Sequence, residues 1–110
     1  MNEAKPKRIE FYRTPEGKAP FVSWFENKDK TQQRTIVMRL NRVKNGNYGD
    51  IESVGEGVKE FKFKEGIRIY FAEVAGSIVL LLCSGDKTSQ SRDIKKAKEF
   101  LREFNSRTIK

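Results

Sequence analysis

The chain has 110 residues and a mass of 12.8 kDa, enough for one domain around a single core and too short for two. Its 23 lysines and arginines outweigh 15 aspartates and glutamates, giving a net charge of +8 and a pI of about 9.7. There is no histidine, which closes Ser-His-Asp and Cys-His catalysis, His-ligated zinc and any general base with an unperturbed pKa near 7.

The longest apolar run, residues 78–83, falls far short of the roughly 20 residues a membrane span needs. Residues 1–15 are charged and lack the apolar stretch of a secretory signal, so a cytoplasmic chain with no membrane partner is expected. The single cysteine, Cys83, excludes an internal disulfide, and inside an apolar strand it reads as a core residue. One domain over 1–110 is expected, with loose ends at 1–7 and 106–110.

Residues 8–13 alternate, with Ile9 and Phe11 on one face, the period of a half-buried strand. Thr14, Pro15, Glu16 and Gly17 close it as a turn. Pro20 suits the first turn of a helix, and Phe21, Trp24 and Phe25 then share one aromatic face. After a polar break at 27–30, a second helix is expected from Thr31 as N-cap, with Ile36, Val37, Leu40 and Val43 inward. Arg34, Arg39, Arg42 and Lys44 cover its remaining surface, and Gly46 is its expected left-handed C-cap.

Beyond the turn-rich segment to Gly57 the period becomes two. In 58–65, Phe61 and Phe63 oppose Glu60, Lys62 and Lys64; in 67–74, Ile67, Ile69 and Phe71 oppose Arg68 and Tyr70, with Glu65 and Gly66 as a tight hairpin. The run 78–83 is apolar on both faces and predicts a central strand covered on each side. A loop at 84–89 leads to a last helix with Ile94, Ala97, Phe100, Leu101 and Phe104 inward. The expected fold is α+β, in the order strand, two helices, three strands, helix, with helices packed on a mostly antiparallel sheet.

If the apolar faces of the two middle strands share a core, Lys62, Lys64, Arg68 and Tyr70 share the opposite face. One reading makes this an ordinary solvated face. The other makes it a concave site for a polyanion, extended by Lys87, in which Arg68 grips phosphate bidentately, the lysines act as point charges and Tyr70 stacks. Asp86 beside Lys87 cannot by itself satisfy the oxygen shell of Mg²⁺, so no metal is expected. Lys87, Thr88 and Ser89 lack the glycine lead-in of a P-loop. Residues 28–44 carry six basic and one acidic side chain, and 87–110 eight and three. Nucleic acid is therefore the first-choice partner, although charge alone equally allows an acidic protein.

Three stretches carry a resemblance. The first runs through Gly57, Val58, Glu60 and Lys62, and the second through Arg68, Ile69, Tyr70 and Phe71. The third, after an apolar strand, holds Gly85, Asp86, Lys87 and Gln90, then Asp93, Ile94, Ala97 and Lys98. Over residues 9–104 the chain resembles the RelE/HigB-like toxins of bacterial toxin–antitoxin modules, in the addiction-module killer branch of the RelE/ParE superfamily. The resemblance implies a RelE-like fold and a metal-independent, cofactor-free endoribonuclease that cleaves mRNA on the ribosome. It also implies silencing by a cognate antitoxin, expected to be of helix-turn-helix type. The RNA 2′-OH would be the nucleophile. Catalysis would fall to Lys62 or Lys64 as base, with Arg68 and Lys87 stabilising charge. Tyr70 and Gln90, with Arg39 and Arg42 on the helix surface, would bind RNA. No Tyr follows Tyr70, so the general acid is left open. The ParE-like alternative, inhibition of DNA gyrase by protein binding, also stays open, as does a non-catalytic nucleic-acid-binding protein.

Overall fold

The computed structural model describes residues 6–108. Its elements are β1 (Arg8–Phe11), α1 (Pro20–Glu26), α2 (Lys30–Lys44), β2 (Ile51–Gly55), β3 (Val58–Lys62), β4 (Ile67–Val74), β5 (Ile78–Asp86), a 3₁₀ turn (Lys87–Ser89) and α3 (Gln90–Thr108). The strands form one sheet in the order β1-β5-β4-β3-β2. β1 runs parallel to β5 and every other pair is antiparallel, so the α+β expectation holds with a mixed, five-stranded sheet.

Helices cover both faces. On one, Phe21, Ile36 and Val43 from α1 and α2 meet Phe61, Ile69, Phe71, Val79 and Leu81. On the other, Ala97 and Leu101 of α3 meet Val58, Tyr70, Ala72, Leu80 and Leu82, together with Tyr12. β5 contributes to both layers, as its doubly apolar pattern predicts. Cys83 lies in the α3 layer, where burial and then Asp93 push its thiol up to about 12. Among the described residues no helix is long and apolar enough to cross a membrane.

The local chemistry explains most boundaries and corrects several. Pro20 opens α1. α2 starts at Lys30, capped by Asp29 rather than Thr31: the Asp29 carboxylate accepts the Gln32 N–H at 2.8 Å and Gln32 answers with its side chain, a reciprocal capping box. At its other end Gly46 donates to Val43 O and Asn47 to Arg42 O, the paired bonds of a Schellman ending.

β2 was not expected at all; its short, polar Ile-Glu-Ser-Val-Gly run hides an edge strand that pairs with β3. β3 ends at Lys62, so Lys64 and Glu65 lie in a three-residue turn completed by left-handed Gly66 and not on a strand. Phe63 N–H to Ile67 O at 3.1 Å and Gly66 N–H to Phe63 O at 3.0 Å close it. Part of the expected 84–89 loop is the end of β5. The expectation of loose ends at 1–5 and 109–110 lies outside the described residues. Lys7 is instead tied to Lys44 O through its backbone and to Gly76 O through its ammonium, and α3 continues through Thr108.

Candidate nucleic-acid interface

At the end of the sheet where β3 turns into β4, a groove of about 660 Å³ opens between α2, Asp50 and the turn. Thr35, Arg39, Arg42, Asp50, Lys62, Phe63, Lys64, Glu65 and Arg68 line it. Five of the residues singled out in the sequence therefore converge here. Five cationic side chains face two carboxylates, a local excess that attracts phosphate.

The cations are not equivalent. Lys62 and Arg68 are cross-strand partners, a like-charge pairing relieved by acids on either side. Lys62 is ion-paired with Glu52 of the unexpected strand β2. Glu52's hydrogen bond and charge push the Lys62 ammonium up from its ordinary value and hold the Glu52 carboxyl below its own. This overturns Lys62 as general base, because a base needs its pKa lowered toward the working pH. Arg68 donates through Nη1 to Phe63 O at 3.1 Å and Ile67 O at 2.9 Å, so its guanidinium is anchored on the turn. Lys64 is exposed at the tip of that turn, and the stem of Lys87 runs past Gly66 of the same turn.

Three expected RNA contacts are corrected. Arg39 is buried and acts as a clamp: Nε donates to Tyr48 O at 2.9 Å, Nη1 to Lys62 O at 2.9 Å and Nη2 to Asp50 O at 2.7 Å. Its guanidinium also lies 4.8 Å from the Phe63 ring centroid, and burial, then the neighbouring Arg42 charge, lowers its pKa. Arg39 therefore builds the floor of the groove, while exposed Arg42 is available to a ligand.

Tyr70 has no exposed surface. It lies under α3, which covers the sheet face that alternation had assigned to solvent, so it cannot stack on a base. Gln90, at the start of α3, donates its amide to Glu60 Oε2 at 2.7 Å, leaving that N–H unavailable for substrate.

Glu60 itself escaped sequence reasoning. It alternates with Lys62 and reads as a surface acid, yet only 1% of it is exposed. A signal existed: Val58 shares its face and is apolar, which marks that end of the face as covered.

A second concavity is apolar and lies between β1, α1 and α2, where Phe11, Phe21, Val22, Phe25, Val37 and Leu40 enclose about 360 Å³. Phe11 and Val37 are 43% and 45% exposed there. It continues along Ile9, Asn41 and Lys44.

No family model matches the chain. A Haemophilus influenzae protein (strain ATCC 51907 / DSM 11121 / KW20 / Rd) described as "Uncharacterized protein" is 41% identical over 87 residues, which are 76% of this chain and 88% of that relative. At that identity and coverage, the chain belongs to the same family as this Haemophilus influenzae protein.

Proposed function

We propose that the protein is a RelE-like toxin of a toxin–antitoxin module, and that the cationic groove at the β3–β4 turn cleaves ribosome-bound mRNA. The observation that carries this reading is the convergence of Arg42, Lys62, Lys64 and Arg68 on one groove, with Lys87 beside the same turn. The sequence resemblance supplies the reaction.

In this reading Lys64, which makes no ion pair among the described residues, takes the proton from the 2′-OH. The 2′-oxygen attacks phosphorus, a 2′,3′-cyclic phosphate forms and the bond to the 5′-oxygen breaks. Arg68 and Lys62 stabilise the charge on the pentacoordinate phosphorus, and Lys87 delivers a proton to the leaving 5′-oxygen. Lys62, held protonated by Glu52, suits charge stabilisation.

The antitoxin is assigned to the apolar groove of β1, α1 and α2. α2 carries five basic side chains and no acid, so an acidic amphipathic helix matches both the apolar floor and the charge around it. This assignment also fits a cytoplasmic module that needs no metal.

Inducible expression followed by mapping of RNA 5′ ends tests the reading. Growth arrest with cuts inside translated codons is expected, and both should disappear in Lys64→Ala/Arg68→Ala. Filamentation with intact mRNA would favour gyrase inhibition, and harmless expression a non-catalytic binding protein.

A further inference from the structure

Glu60 is the one carboxylate among the described residues sealed at 1% exposure, and it lies directly behind the cationic groove. A buried carboxylate is expensive to desolvate, and an apolar side chain would fill the same space without that penalty. What the carboxylate adds is directional contact. Its Oε2 accepts the Gln90 amide at 2.7 Å and lies 4.0 Å from Arg68 Nε; its Oε1 has no hydrogen-bond partner.

Arg68 is thus held on two sides. Nη1 is fixed on the carbonyls of Phe63 and Ile67, and Nε faces Glu60. Nη2 makes no hydrogen bond within the protein and is not among the sealed unpartnered atoms, so it is the nitrogen presented to a ligand. At 1% exposure Glu60 cannot reach RNA.

We propose that Glu60 is a positioning residue: from behind the sheet end it fixes Arg68 in one orientation, with Nη2 aimed into the groove, and ties the start of α3 to the same point through Gln90. The role in catalysis rests on the reading of the groove as an RNA-cleaving site. A preset guanidinium meets the developing charge without reorganising, which acts on the chemical step more than on substrate binding.

The test uses the full chain with ribosomes programmed with a defined mRNA, in single-turnover cleavage, alongside side-chain ¹⁵N NMR of Arg68 and thermal unfolding. Glu60→Gln is expected to keep KM within about twofold and lower kcat by about 10- to 100-fold. In an Arg68→Ala background the same substitution should have almost no further effect, because both act through one group. The Arg68 Nη signals, separate in the parent, should merge in Glu60→Gln as the guanidinium rotates freely.

An unchanged kcat overturns the proposal, as does an equal loss with and without Arg68, or a loss fully explained by unfolding. If Glu60→Gln does not fold, Glu60→Asp keeps the charge but withdraws it by one methylene; the same selective loss of kcat is expected and its absence is equally decisive. If the parent cleaves no ribosome-bound mRNA, the functional reading of the groove fails. The Arg68 signals then decide alone: merging on Glu60→Gln upholds the positioning of Arg68, and unchanged signals refute it.

Discussion

Arg39 shows how little a basic residue's type says about its task. Its three charge-assisted bonds satisfy the carbonyls of Tyr48, Asp50 and Lys62, which join the α2–β2 connection to β3. Arg39→Ala leaves these carbonyls without it, and a loss of about 3 kcal/mol is expected in urea unfolding. Arg42→Ala, at an exposed position, should stay within about 0.5 kcal/mol while weakening RNA binding. Glu73 gives a pH test. The Tyr48 hydroxyl at 2.6 Å, and then Lys59, hold its carboxyl below the ordinary value of 4.5. A folded-state pKa below the unfolded one stabilises the fold above the unfolded value, and the contribution disappears as pH falls through the folded value. Glu73→Gln should therefore flatten the acid limb of a thermal-stability profile below about pH 4.5 and change its slope little above pH 6. Alternation in the sequence sorted Phe61, Ile69 and Phe71 correctly onto one face, since period-two patterning records which face is apolar. It misplaced Tyr70 and Glu60 because a polar atom on the other face looks the same whether water or α3 covers it. The Arg39 clamp was equally hidden, because backbone carbonyls leave no trace in side-chain patterning.

The join between β5 and α3 is set by close approach. A Cβ on Gly85 would overlap the Asp93 carboxylate and crowd Ser89 Oγ, two groups that are themselves hydrogen-bonded. Gly85→Ala must push the first turn of α3 away from the sheet, so a loss of about 2–4 kcal/mol is expected, with near-ultraviolet circular dichroism reporting the repacking. Asp29→Ala removes the cap of α2 and should cost about 1 kcal/mol in chemical denaturation. Both long helices were legible because an apolar stripe recurs through Ile36, Leu40 and Val43, and again through Ala97 and Leu101. β2 was not: Ile51 and Val54 are only partly buried, and its backbone pairs on one edge alone, so most of what makes it a strand is supplied by β3. That omission also concealed Glu52, and with it the ion pair that disqualifies Lys62 as a base.

Across the molecule, the cationic groove and the apolar groove use different sides of α2, Arg39 and Arg42 facing one and Val37 and Leu40 the other. RNA binding should depend steeply on salt, each phosphate contact adding about −0.7 to the slope of log affinity against log salt for a single strand. Titrating a short single-stranded RNA at several salt concentrations should show Lys64→Ala shallower by about that amount. The parallel pairing of β1 with β5, Arg8 opposite Ile78, has a kinetic consequence. The β2–β3, β3–β4 and β4–β5 hairpins join neighbours in the chain, whereas β1 must wait for a strand that follows both α1 and α2. Loop closure over that distance makes β1 the last strand to dock, and a refolding chain passes through a stage in which the outer edge of β5 is bare. In that interval β5 is an apolar template open to the first strand of any other copy, so refolding yield should fall with protein concentration, long before the native protein shows any tendency to associate.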